Sequence, residues 1–143
     1  MIAFDTNILV YAHRSDSPFH QKAKAELEAC FAGADDWAVP WSCWHEFYTV
    51  VTHPKIYRPP STPAEAFAFM DRCMSAPNLR MIGEGPGYEV LLKSLVLPAH
   101  IKGPKVHDAR IAAVCIYHGV KTLFTADRDF SAFPKLRCEN PLV

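Results

Sequence analysis

The segment VHDARIAAVCIYHGVKTLFTADRDF, residues 106–130, decides the fold class. After Asp108, Ile111, Ala112, Cys115 and Ile116 recur at the spacing of an apolar helical stripe, and Gly119 closes that helix after His118. Thr122 to Thr125 then reads as a short strand, and Ala-Asp-Arg-Asp-Phe leads away from its end. A helix feeding a strand in this way is half of a parallel α/β unit.

Outward from this segment the same alternation fills the chain. Ile2 to Phe4 is a first strand. Ser17-Pro18 reads as an N-cap with proline at the first helical position, opening a helix in which Phe19, Ala23, Leu27, Cys30 and Phe31 keep helical spacing up to Gly33. Trp37 to Val39 is a strand, and after Ser42 the residues Trp44, Phe47, Tyr48 and Val51 form a helical stripe that stops before Pro54. His53 to Thr62 is a proline-rich loop, and Thr62-Pro63-Ala64-Glu65 is a capping box opening a helix through about Met74. Leu79 to Ile82 reads as a strand, Tyr88 to Leu97 as a helix, Pro98 to Lys105 as a loop carrying two lysines, and Leu136 to Cys138 as a last strand. The order predicts a single α/β domain over residues 1–143, with a mostly parallel sheet and right-handed crossovers.

Composition narrows the setting. A chain of 143 residues, half of them hydrophobic, buries enough surface to fold without disulfides or a structural metal. The five cysteines (Cys30, Cys43, Cys73, Cys115, Cys138) are scattered and include no C-x-x-C pair, which argues against a zinc site and for reduced thiols in a cytoplasmic protein. No apolar run is long enough to span a membrane, and Met-Ile-Ala-Phe meets Asp5 too early for a signal peptide, so a soluble intracellular protein is expected. With 15 Lys+Arg against 15 Asp+Glu there is no net attraction to nucleic acid, and any polyanion binding must come from local charge.

Certain carboxylates stand out. Asp5 directly follows the first strand, and Asp127 and Asp129 follow the strand ending at Thr125; in a parallel sheet that edge is where ligands bind. Turn and N-cap duty is the competing reading for all three. Asp108 heads the apolar stripe of its helix, where it needs a partner, a cation or the positive end of its own helix. Glu46 borders the stripe of its helix and reads alone as a surface glutamate, with Glu26 or Glu28 as competitors for its role. Converging carboxylates repel one another unless a cation neutralises them, and an all-oxygen donor set favours Mg²⁺ or Mn²⁺ over Zn²⁺. His107, beside Asp108, reads either as a substrate contact or as a solvent-facing helix histidine.

Asp5-Thr6-Asn7 after the first strand, Glu46 in an early helix, Asp108-Ala109-Arg110-Ile111-Ala112-Ala113 in a late helix and Thr125-Ala126-Asp127-Arg128-Asp129-Phe130 after a strand together resemble the four acidic motifs of PIN-domain ribonucleases. The short chain is most similar to the VapC toxins of toxin–antitoxin pairs. This resemblance implies a three-layer α/β/α fold around a mostly parallel sheet, Mg²⁺- or Mn²⁺-dependent endonucleolytic cleavage of RNA, a homodimer, and inhibition by a small VapB-type antitoxin. On that reading Asp5, Glu46, Asp108 and Asp127 hold the metal, with Asp129 as a further ligand and Thr6, Asn7 and Thr125 as supporting groups. Cleavage by a metal-activated water would leave 5′-phosphate and 3′-hydroxyl ends.

Setting aside the five site acids leaves 10 acids against 15 Lys+Arg, a surplus of 5 positive charges available for phosphate. Arg14, Arg58, Lys102, Lys105, Arg110 and Arg128 flank the expected site loops and are the candidates for RNA contact, with solvated surface charge as the competing reading of each; Trp41, Trp44 and Tyr57 are candidates for stacking on bases, though helical spacing places Trp44 mainly in the core or an interface. Two other readings compete. One is a phosphohydrolase using aspartyl-phosphate chemistry, which usually wants a second acid where Asn7 stands. The other is a non-catalytic metal-binding interaction module.

Overall fold

Three apolar residues, Ile2-Ala3-Phe4, form the strand on which the rest of the molecule is laid. The computed structural model describes residues 1–143. Its elements run β1 (Ile2–Phe4), α1 (Thr6–His13), α2 (His20–Ala32), β2 (Trp37–Pro40), α3 (Trp41–Val51), α4 (Pro63–Met74), β3 (Leu79–Ile82), α5 (Tyr88–Ala99), α6 (Val106–Tyr117), β4 (Thr122–Phe124) and β5 (Arg137–Glu139). All four strand pairings are parallel, in the order β3-β2-β1-β4-β5. The chain therefore builds outward from β1 to β3, then returns to the far side of β1 to place β4 and β5.

That reversal has two consequences. Right-handed crossovers made in opposite directions fall on opposite faces of the sheet, so α1 to α4 cover one face and α5 with α6 the other. It also opens a crevice beyond the carboxyl ends of β1 and β4, the topological switch point of the sheet. The register puts Phe4 beside Phe124, so Asp5 and Thr125 leave the sheet side by side, and the Asp5 N–H donates to the Phe124 carbonyl at 3.0 Å.

The core is contiguous and rich in aromatic edge contacts. Phe4 meets Trp37 and Phe124 edge-on across the central strands. Trp44 and Phe47, both fully buried, pin α3 against the helical layer, where Phe47 stacks on Phe69. These anchors fix the rotation of α3 and hence the place of Glu46. The five cysteines are all free, with Cys43, Cys73 and Cys115 buried.

Several sequence expectations are shifted. Thr6–His13 is a helix that periodicity did not signal; Asp5 caps it, accepting a hydrogen bond from the Thr6 N–H. The helix expected from Ser17-Pro18 begins at His20, because the Ser17 hydroxyl accepts from the Phe19 N–H and holds Pro18 in a turn. The α5 helix runs past the expected end at Leu97 and includes Pro98 in its last turn, where proline offers no N–H to the carbonyl four residues back and the helix stops one residue later. The Thr62–Glu65 capping box is present with both of its hydrogen bonds.

Asn78 fixes the approach to β2 and β3. Its amide nitrogen donates among the carbonyls of Cys30, Gly33 and Asp35, and its Oδ1 accepts from the Trp37 indole at 3.1 Å. Asn78→Ala would leave the buried Trp37 indole N–H and the part-buried carbonyls without this partner, and urea unfolding should show a loss of about 2 kcal/mol with an unchanged m-value. A loss within experimental error would show the clamp to be redundant.

Candidate active site

Asp5 sits at the bottom of the crevice, 5% exposed, at the exit of the central strand. Four groups hold its carboxylate, the longest contact being from the buried Cys43 thiol to Oδ1 at 3.8 Å. The Thr6 N–H donates to Oδ1 at 2.7 Å, the Thr125 hydroxyl to Oδ2 at 2.7 Å, and the Asn7 amide to Oδ2 at 3.3 Å. The N-cap expectation is met by this carboxylate, and the same residue lines the crevice.

Thr125 is the hub of the opposite wall. While its hydroxyl donates to Asp5, its oxygen accepts from the Asp127 N–H at 3.0 Å and from the Asn7 amide at 3.4 Å. Asn7 Oδ1 in turn accepts from the Ala126 N–H, so Asn7 braces the loop after β4 rather than the turn after Asp5 alone. Asp127 Oδ1 accepts from the Asp129 N–H at 2.8 Å and caps the 3-10 turn over Arg128–Ala132. Thr6 links the two sides: its hydroxyl donates to Glu46 Oε2 at 3.0 Å.

The cavity so formed measures about 220 Å³ and is lined by Asp5, Thr6, Asn7, Glu46, Asp108 and Asp127 together with Val10, Tyr11, Val50 and Tyr57. Carboxylate oxygens of Asp108, Asp127 and Asp129 all lie within 4.8 Å of one another. Each expected site acid is therefore in one place. Glu26 and Glu28 are not: both lie on α2, where Glu28 pairs with Arg72 and Glu26 lines a cavity at the opposite end of the sheet.

Burial and mutual repulsion set the electrostatics. Desolvation pushes the Asp5 carboxyl up to about 6 against the hydrogen bonds from Thr125 and Thr6, and the charges of Glu46 and Asp108 add to the rise. The Asp108 carboxyl is raised by desolvation and then by Asp127, Asp129 and Glu46, with Lys105 pulling the other way.

The cations predicted to flank the site divide into two groups. Arg14 is engaged: it pairs with Asp16 at 2.7 Å, donates to the Pro59 carbonyl and the Ser61 hydroxyl, and covers the Tyr57 ring at 4.3 Å. Arg110 pairs with Glu84. No ion pair engages Arg58, Lys102, Lys105 or Arg128, and all four are exposed. Of the aromatic candidates, Trp44 is 1% exposed and is removed as a stacking surface by its place in the core, whereas Trp41 is exposed and Tyr57 half-buried beneath Arg14. Sequence reasoning missed the Thr6–Glu46 bond and the Asn7 bridge, which join residues far apart in the chain.

Asp5 ionises near pH 6 when folded and near its ordinary value of 3.8 when unfolded. The folded state binds more protons between these values, so its stability falls as pH rises from about 4 to about 6. In metal-free buffer, the stability of Asp5→Asn relative to wild type should climb by up to about 3 kcal/mol over that interval, measured by urea unfolding. A pH-independent difference would refute the raised carboxyl.

Comparison with known proteins matches the chain to one family model, and two relatives and two solved structures are similar to it. The family model described as PIN domain matches residues 2–136. The chain is 33% identical over 138 residues to Ribonuclease VapC48 of Mycobacterium tuberculosis (strain ATCC 25618 / H37Rv), covering 96% of this chain and 95% of that one. It is 32% identical over 143 residues to Ribonuclease VapC25 of the same strain, with full coverage of both. Among solved structures, VapBC2 from Rickettsia felis bound to a DNA fragment from its promoter aligns with a TM-score of 0.69 at 23% identity over 98% of both chains. M. tuberculosis VapC20, a Sarcin-Ricin loop cleaving toxin, aligns with a TM-score of 0.67 at 19% identity, over 92% of this chain and 94% of that one.

Proposed function

The chain belongs to the PIN-domain family and, within it, to the VapC ribonucleases, and from that membership we infer that it is an RNA-cleaving toxin whose acidic crevice is a divalent-metal nuclease centre. The observation that carries the site assignment is the convergence of Asp5, Glu46, Asp108 and Asp127 on one small cavity, with Asp129 at its margin. The donor set is entirely oxygen, and burial together with the neighbouring carboxylates raises the proton affinity of Asp5 and Asp108, the condition that a hard dication relieves. These residues fit Mg²⁺ or Mn²⁺. When bound, such an ion supplies the charge that activates water at neutral pH and stabilises the phosphate oxygens.

The chain's own groups do the positioning. Thr125 and the Thr6 N–H fix both oxygens of Asp5, the Thr6 hydroxyl orients Glu46, and the Asp129 N–H orients Asp127. Asn7 ties the β4 exit loop to β1 so that the two acidic strand ends keep their separation. On this reading water attacks phosphorus and the P–O3′ bond breaks, the 3′-oxygen leaving as a hydroxyl, so that the ends are 5′-phosphate and 3′-hydroxyl. Asn7 is committed to this bracing, which disfavours an aspartyl-phosphate enzyme.

Residues 1–143 act on this account as one nuclease domain in the cytoplasm. It is held in check by a small VapB-type antitoxin and assembles as a homodimer. The solved VapBC2 complex is similar in fold, and the five free cysteines suit a reducing compartment. No helix is long and apolar enough to cross a membrane.

Purified protein incubated with structured RNA should cleave it in Mg²⁺ or Mn²⁺ and not in EDTA, and Asp5→Asn or Asp108→Asn should lower the rate by at least about a hundredfold. Cleavage that persists in EDTA would overturn the metal assignment; full activity in both variants would overturn the site. The free cations also predict a salt effect. Lys102→Ala combined with Lys105→Ala should weaken RNA binding and reduce its log–log salt slope by about 2. An unchanged slope would remove this segment from the RNA path.

A further inference from the structure

Glu46 and Asp108 line a second, larger groove of about 450 Å³ beside the acidic cavity, shared with Ser42, His45 and Thr49 of α3 and His107 and Arg110 of α6. Polar side chains border it above Pro104 and a buried Ile111. Four of the other five imidazoles are tied down, His13 to the Ser61 hydroxyl, His20 to the Tyr11 carbonyl, His53 to the Lys55 N–H and His118 to the Gly83 carbonyl, and the fifth, His100, caps the end of α5 away from the acids. No hydrogen bond anchors the rings of His45 and His107, which are exposed on facing elements. Ser42 Oγ is the one side-chain polar atom buried without a partner. The Thr49 hydroxyl is spent on the His45 carbonyl at 3.0 Å, and Arg110 is held by Glu84.

An anion does not suit this groove, because two carboxylates form its border and its one guanidinium is already paired. Two flat, exposed imidazoles without hydrogen-bond partners instead match an uncharged, planar group with donor and acceptor edges, such as the base that a nucleoside presents when a strand is splayed open. We propose that this groove seats the nucleoside next to the scissile phosphate, with His45 and His107 contacting its base and sugar as specificity-determining residues. The proposal rests on the nuclease reading of the adjoining acids, whose metal-holding role it leaves intact.

Histidine ring signals of the whole protein, followed by NMR during titration with the four ribonucleoside 5′-monophosphates in Mg²⁺, should shift at His45 and His107 while those of His13 and His20 stay fixed. Inorganic phosphate alone should move neither ring. In RNA cleavage, His45→Ala and His107→Ala should each raise KM about tenfold, the effect of losing one stacking or edge contact, with kcat changed by less than about threefold. Mn²⁺ affinity should be unchanged. Rings silent to nucleotide, shifts reproduced by phosphate, or a KM effect accompanied by lost Mn²⁺ affinity would each overturn the proposal. Absence of cleavage by the wild-type protein would instead sink the nuclease reading, and the nucleotide titration separates the two failures.

Discussion

A carboxylate withdrawn from water at the end of the central strand is stable only if its oxygens are satisfied, and Asp5 imposes that condition on everything near it. Thr125 meets it from β4, Thr6 from the first turn of α1, and Asn7 from the next residue of the same helix. None of these groups neutralises the charge. Hydrogen bonds lower the Asp5 carboxyl, burial and neighbouring acids raise it, and the rise wins. The protein thus spends folding energy to hold a charge where a dication would recover it.

The switch-point topology is what makes the arrangement possible. Because β1 and β4 are neighbours though 120 residues separate Asp5 from Thr125, two acidic segments are delivered to one crevice without a long loop. Helices supply the remaining two acids. The buried pair Trp44 and Phe47 rotates α3 so that Glu46 reaches the Thr6 hydroxyl, and the buried Ala109 and Ile111 of α6 set Asp108 opposite. Core packing, not the acids themselves, fixes the distances.

Much of this was legible in the sequence because the signals were local. The stripe after Asp108, the capping box at Thr62 and the short strands each depend on neighbours within a few residues, and all three appear where the spacing put them. The helix Thr6–His13 was hidden because Ile8, Leu9 and Val10 form an unbroken apolar run, buried on more than one side, with no amphipathic period to read. The Ser17 turn was hidden for the opposite reason: a serine that bonds two residues ahead looks the same on paper as one that caps a helix. The pairing of Arg14 with Asp16 and of Arg110 with Glu84 shows why a list of basic residues overstates an RNA surface.

The most direct test of a crevice built for a cation is calorimetric titration of Mn²⁺ into the protein in buffers of different ionisation enthalpy. Near pH 6, where Asp5 is partly protonated, binding should release protons. The release should fade by about pH 8, once Asp5 is ionised in the free protein, and should be reduced in Asp5→Asn. No Mn²⁺ binding, or binding with the same proton count at both pH values, would contradict the account.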